Sequence, residues 1–432
     1  MGSSERGSDG ALHRASRLGG ALRALAVDVQ PLRSSRDYRL IWSGLLVSEF
    51  GYQFTLVATF IQVKRLTGSA AAVGVIGLVG LAGLVAGTLG GGSLLDAHDR
   101  RTLLIAAQVG FMAASGALLL GALIGRPPVW LIYAAVAALA GFSAIDGPTR
   151  SAMTPRLVGA GLLPAALALN QVIWNGTALV GPALAGIVIE RFGLPVAYGI
   201  DLVTYLAMLG AAVLIRPMPP ERAEGAATGW AAVREGFAYL RGRRVLQSTF
   251  VADIIAMIFG MPRALFPFLA GAQFHGGDTV VGLLFSAPAV GALVGALASG
   301  WVGRVRHQGR AVVWAVALWG AGIAAFGAVG DHLWLALGFL AFAGAADVIS
   351  AVFRSTILQL SVPDSLRGRL SGIHILVVTG GPRLGDLESG LVAAAFTPMI
   401  SVVSGGLLCI AGIGLLAALV PELRAYHAGE RA

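Results

Sequence analysis

The chain has 432 residues, of which 56% are hydrophobic and only 12% charged, and its mean hydropathy is +0.79. A water-soluble domain carries about 25% charged residues, so this composition excludes a soluble enzyme. The formal charge of +9 does not form one basic patch but sorts by connection along the chain, which argues against a nucleic-acid partner.

Residues 1–37 are polar, carry Arg6, Arg14, Arg17, Arg23, Arg33 and Arg36, and lack the unbroken apolar run of a cleaved signal. They read as an N-terminal tail. Twelve apolar stretches follow, each near the roughly 20 residues that cross a hydrocarbon core about 30 Å thick. The first six, at 40–62, 71–95, 102–125, 129–149, 165–190 and 195–216, make a half spanning 38–216. The longest connection, 217–244, opens with Pro217-Met218-Pro219-Pro220 and then sets Trp230, Val233, Phe237 and Leu240 at helical spacing against Arg234, Arg241, Arg243 and Arg244. That pattern suits a helix lying in the membrane interface or a short solvated linker helix. Six more stretches, at 246–271, 279–303, 310–330, 333–355, 371–396 and 398–421, make the half 245–421, and 422–432 is a C-terminal tail. The sole cysteine, Cys409, falls within the last stretch, so no disulfide framework exists.

An even number of crossings places both termini on one side. Lys64, Arg65, Arg126 and Arg191 occupy the connections on the other side and Arg263 and Arg383 lie within spans, while the rest of the 31 Lys and Arg residues share the terminal side. The positive-inside rule therefore predicts cytoplasmic termini.

The halves echo each other. A shift of 208 residues superposes Gly74 on Gly282, Gly83 on Gly291, Gly87 on Gly295 and Gly92 on Gly300. Gly181-Pro182 likewise answers Gly381-Pro382, and Arg150-Ser151 with Pro155 answers Arg354-Ser355 with Pro363. Small residues at three- and four-residue spacing let membrane helices approach closely, and two duplicated six-helix halves with a site between them near the midplane are a common design of secondary transporters. The expected fold is an all-α membrane protein with twelve transmembrane helices in two pseudo-symmetric halves.

Charged side chains at mid-membrane are costly and default to functional candidates. Glu49 stands about 15 Å of helix rise into the first span, with Trp42, Tyr52, Gln53 and Phe60 on the same side. This face suits an amphiphilic ligand and a carboxylate that exchanges protons; an acid satisfied by a neighbouring helix is the alternative. The eleventh span holds Arg383, Asp386 and Glu388 in a stretch weakened by Gly380, Gly381 and Pro382. Arg383 and Asp386, three apart, can pair on one face, leaving Glu388 to find another partner or a proton. Asp146 and Arg150, four apart near the terminal-side end of the fourth span, have the look of gate parts. No phosphate-cradling loop, metal-ligand cluster or nucleophile triad is present, so neither an enzyme nor a nucleotide- or metal-dependent protein is expected. Energy must then come from an ion gradient, with the proton the leading choice.

Gly92-Ser93-Leu94-Leu95-Asp96-Ala97-His98-Asp99-Arg100-Arg101 resembles the signature loop of the major facilitator superfamily, Gly-x-Leu-Ala-Asp-Arg-x-Gly-Arg-Arg. Ala97 and Asp99 depart from it. Pro148-Thr149-Arg150, Thr154-Pro155-Arg156-Leu157-Val158, Leu169-Asn170 and Leu366-Arg367-Gly368-Arg369 narrow the resemblance to the drug-efflux branch that contains enterobactin (siderophore) and macrolide exporters. It covers nearly the whole chain after residue 36. Gly176, Gly181, Pro182 and Gly186 are similar to the antiporter motif of the fifth helix, which the family associates with export. The resemblance further implies that Asp96 meets the amino end of the eleventh helix, that Arg100 meets an acid of the fourth, and that Asp253, Arg263 and Asp347 face the cavity. What it implies overall is a monomeric exporter of a small amphiphilic molecule, siderophore or drug, in a bacterial inner membrane. A lipid or lysolipid flippase, or a nutrient importer of the same fold, is the alternative.

Overall fold

The computed structural model describes residues 28–219, 234 and 238–427. Most of the arginine-rich tail lies outside them, as do Trp230, Val233 and Phe237 of the suggested interfacial helix. Six helices, α1 (Arg36–Thr67), α2 (Ala70–Ala97), α3 (Arg100–Ile124), α4 (Val129–Val158), α5 (Leu163–Phe192) and α6 (Leu194–Leu214), build the first half. The second comprises α7 (Arg244–Phe259), α8 (Asp278–Leu297), α9 (Gln308–Ala328), α10 (Leu333–Ser361), α11 (Asp364–Ala395) and α12 (Pro398–Leu419). Eleven of the spans they form are long and apolar enough to cross a membrane; α11 is long enough too, but carries Arg383, Asp386 and Glu388 in its interior. With it the number of crossings is twelve.

Local chemistry sets the boundaries. Ser35, Ser69, Asp99 and Thr397 cap α1, α2, α3 and α12 by accepting hydrogen bonds from first-turn N–H groups. The seventh span, expected to be continuous over 246–271, is broken: α7 stops at Phe259, a 3-10 turn covers Arg263–Leu265, and helix resumes at Phe266–Ala272. Pro262 has no N–H for the helical ladder and its ring bars the preceding turn. The eighth span also ends early, at Leu297, where Ser299–Arg304 tightens into a 3-10 turn around the weak helix formers Gly300 and Gly303.

The repeated glycines mark where helices cross. Gly83 and Gly87 of α2 lie against Ala137 and Gly141 of α4, and their counterparts Gly291 and Gly295 of α8 lie against Ala341 and Ala345 of α10. The first glycine of each set reaches across the halves: Gly74 of α2 meets Gly390 of α11, and Gly282 of α8 meets Gly186 of α5. A Cβ on Gly186 would stand 3.0 Å from the Gly282 Cα, so the backbones touch. Gly92, the last of the first set, lies outside the described side chains, and Gly300 has open space around it.

Both crossings between halves lie towards the end away from the termini. There Arg65 pairs with Asp278, and Glu190 accepts the Thr279 N–H at 2.8 Å. This end of the bundle is closed. Trp130 and Trp334, each the second residue of its helix in corresponding positions of α4 and α10, are 66% and 79% exposed, as expected of an interfacial aromatic belt.

Candidate functional site

A cavity of about 420 Å³ sits between the halves beneath the closed end. Its walls are unequal: α1 to α6 supply most of the lining, and the second half adds Arg263 from the break after α7 and Val378, Thr379, Pro382, Arg383 and Asp386 from α11. Tyr52, Phe60, Phe111, Trp174 and Tyr205 give it aromatic surface. Phe111 and Tyr205 stack with centroids 5.2 Å apart.

Three carboxylates and three guanidiniums face this space. In the first half, Arg150 donates from Nε to Asp146 Oδ2 at 2.7 Å, and its Nη2 lies 3.9 Å from Glu49 Oε1. Gln108 Nε2 donates to the other Asp146 oxygen at 3.0 Å. In the second, Arg263 Nη2 donates to Asp386 Oδ2 at 2.7 Å. Just behind the wall, Asp201 is fully buried and accepts from Thr55 Oγ1 at 2.5 Å and Ser115 Oγ at 2.6 Å. The cavity therefore presents an aromatic face with compact charge pairs on both sides, the chemistry of an amphiphile site.

Glu49, Tyr52, Arg263, Arg383 and Asp386 line the cavity as expected from the sequence. Other expectations need correction. Arg383 does not pair with Asp386; Arg263, brought in by the break in the seventh span, takes that carboxylate instead. Glu388 is not in the lining. Two residues beyond Asp386 is a rotation of about 200° round the helix, which puts it on the side of Leu391, a residue 52% exposed. Trp42 packs among Leu157, Tyr38 and Leu169 outside the cavity. Gln53 is buried against Gly181 of α5.

Asp253 and Asp347 form a separate cluster within the second half. Arg354 Nη2 lies 2.7 Å from Asp253 Oδ1 and 3.7 Å from Asp347 Oδ1, and its Nη1 donates to Ser350 Oγ at 2.9 Å. With Arg354 4% and Asp253 2% exposed, the pair is buried, and its expected role is to hold the fold. Removing one partner of such a pair costs about 3–5 kcal/mol. Arg354→Met should therefore lower the thermal unfolding temperature of the detergent-purified protein sharply, and adding Asp253→Asn should recover part of the loss. Unchanged melting of the single variant would contradict this role.

The gate residues are also redistributed. Asp146 and Arg150, expected as gate parts, stand in the cavity wall. Arg100 meets no acid of α4 here: Asp146 is engaged with Arg150 and Gln108, and Arg100 Nη1 donates to the Ala152 carbonyl at 3.0 Å. Arg101 donates to the Ala212 and Val213 carbonyls at 3.1 and 2.6 Å, the electronegative end of α6. These arginines thus tie the terminal-side ends of one half together. The Asp96 side chain, and with it the expected contact to α11, lies outside the described residues. Of the antiporter-like positions, Gly181 and Gly186 are contact points for Gln53 and Gly282, Pro182 lies inside α5, and Gly176 has open space.

Gln108, Thr55, Trp174 and Tyr205 line the cavity although the sequence pattern does not single them out. Gln108 had a legible signal, being a lone amide in an otherwise apolar span; the aromatics did not, because such residues also occur throughout cores and lipid-facing surfaces.

The chain matches the family model described as transmembrane secretion effector over residues 26–430. It is 28% identical over 408 residues to the enterobactin exporter EntS of Citrobacter koseri, covering 92% of this chain and 94% of that protein. It is 27% identical over 409 residues to EntS of Salmonella typhi, with coverage of 92% and 95%. Among solved structures, a bacterial homologue of the iron transporter ferroportin in an inward-facing state superposes with a TM-score of 0.65 at 16% identity, covering 90% of this chain and 99% of that one. A bacterial homologue of the lysosomal transporter Spinster, also inward-facing, gives 0.66 at 12% identity, with coverage of 92% and 97%. The two-half architecture, the central cavity and the match along almost the whole length agree, and the chain belongs to the transmembrane secretion effector family of major facilitator transporters.

Proposed function

We propose that this transporter exports a small amphiphilic molecule, a siderophore or a drug, in exchange for protons by alternating access. The observation that carries the reading is Glu49: a carboxylate in the wall of a central cavity closed at one end, 3.9 Å from Arg150, which itself is already engaged by Asp146. An acid so placed can hold a proton when the cavity faces one side and release it on the other. Aromatic walls accept the apolar body of a cargo, and the length-wide similarity to exporters of enterobactin favours outward transport. The distribution of arginines supports cytoplasmic termini, which makes the closed end extracytoplasmic and the described state inward-facing. The cavity lies within one chain, in keeping with a monomer in a bacterial inner membrane.

Purified protein in liposomes tests this. With an imposed pH gradient, it should accumulate at least one of a labelled catecholate siderophore, a macrolide and a lysophospholipid, and an uncoupler should abolish accumulation. Gradient-independent movement of all three would remove the exchange mechanism. Selective movement of the lysophospholipid between leaflets would replace export with lipid flipping.

A further inference from the structure

Arg383 is the exception among the arginines at the centre of this protein. Arg150 is held by Asp146, Arg263 by Asp386 and Arg354 by Asp253. Arg383 has no carboxylate within ion-pair distance among the described residues, and its Nη1 is buried with no hydrogen-bond acceptor. A guanidinium held in a low-dielectric setting without a partner is costly, and nothing in the packing calls for one there. The fold instead makes room for it. A Cβ on Gly80 of α2 would lie 3.2 Å from Arg383 Nε, so the absence of a side chain at 80 clears the path by which the arginine of α11 crosses towards the other half. The cavity that it lines also presents Tyr52, Phe60, Phe111 and Trp174.

We infer that Arg383 is the docking point for the acidic head of the cargo, and that the preferred cargo is an aromatic anion whose rings lie against the aromatic wall of the first half. This specifies the cargo of the export reading above and rests on it. The charge layout favours such a ligand over a cation. Asp146 and Asp386 are already neutralised, and Glu49 lies beside Arg150, whereas Arg383 offers fixed donors to an incoming carboxylate, sulfonate or phenolate. Because the anchor is in one half and the aromatic surface largely in the other, a bound anion would touch both halves at once.

A matched series isolates the charge: 2-naphthoate, 2-naphthamide and 2-naphthylmethylammonium share an aromatic body and differ in their heads. Binding to the full-length protein in nanodiscs, with no ion gradient, is read by calorimetry and by quenching of tryptophan fluorescence. Wild type should bind naphthoate about tenfold or more tightly than the amide, the scale of one hydrogen bond to a charged group, and should bind the cation least. Arg383→Gln should erase the preference for the anion, bringing naphthoate to the affinity of the amide, and Arg383→Lys should keep part of it. Gly80→Val, which keeps the charge but fills the space beside Nε, should weaken naphthoate binding more than amide binding, giving a second route if Arg383→Gln fails to fold. Equal binding of naphthoate and amide by wild type, or a preference for the cation, would overturn the assignment. Uphill export of neutral amphiphiles alongside equal binding would do so while leaving the export reading intact; anion binding without any gradient-driven export would reject only the latter.

Discussion

Glu49→Gln should reduce uphill, pH-gradient-driven transport in liposomes to the level of protein-free vesicles while leaving downhill exchange measurable. Glutamine keeps the volume and most of the hydrogen-bonding capacity of the side chain but cannot carry a proton as glutamate does. The fold should tolerate the change, because Arg150 keeps its short contacts with Asp146. Only the step that ties proton movement to the change of sides is then removed. Glu388→Gln provides the contrast. Glu388 faces away from the cavity lining, so its substitution should leave coupling unchanged even though its type and depth in the sequence resemble those of Glu49. Normal uphill transport by Glu49→Gln would move the proton site elsewhere.

Gly186→Val should trap the protein with its far end open. Gly186 and Gly282 meet where α5 crosses α8, and a Cβ on Gly186 would lie 3.0 Å from one backbone atom and 2.5 Å from another, the Asp278 carbonyl oxygen. Backbone on the opposing helix cannot rotate away as a flexible side chain can, so the closed arrangement loses stability while the opened one, in which α5 and α8 separate there, does not. A differential cost of about 5.5 kcal/mol is enough to turn a 99:1 population into its reverse. A cysteine introduced at Thr59, in the cavity wall, gives the readout. The native Cys409 is fully buried and should stay silent. An impermeant thiol reagent applied from the side away from the termini should label Thr59→Cys rapidly when Gly186→Val is present and slowly when it is not, and net transport should stop. Wild-type transport with unchanged labelling would show that the crossing is not needed for closure.

The architecture was legible because membrane burial writes itself into composition, and the glycine echo marked the second and eighth spans as helices that pack closely. Gly74 and Gly282, aligned by sequence alone, both lie where a helix of one half crosses a helix of the other. Side-chain partnerships were less legible. Spacing along α11 favours an Arg383–Asp386 pair, yet Asp386 bonds to Arg263, 123 residues away, because the break at Pro262 delivers that arginine to the cavity. Periodicity likewise puts Trp42, Gln53 and Tyr52 on neighbouring parts of α1, but α1 is packed by α5 and α6 as well as facing the cavity. A helix buried on several sides has no single polar face, and only its neighbours decide which residue meets the cavity.

The balance of three arginines against three carboxylates around the cavity bears on energetics. With all six ionised, the empty binding region has no net charge to drag through the field as the protein changes sides. The membrane voltage then acts on what is carried, at about 2.3 kcal/mol per elementary charge per 100 mV. For a cell negative inside, an anion moving outward and a proton moving inward are both driven in the favourable direction. An exchange of the two would be electrogenic, and a potassium diffusion potential, set with valinomycin and no pH difference, would be a driving force of its own.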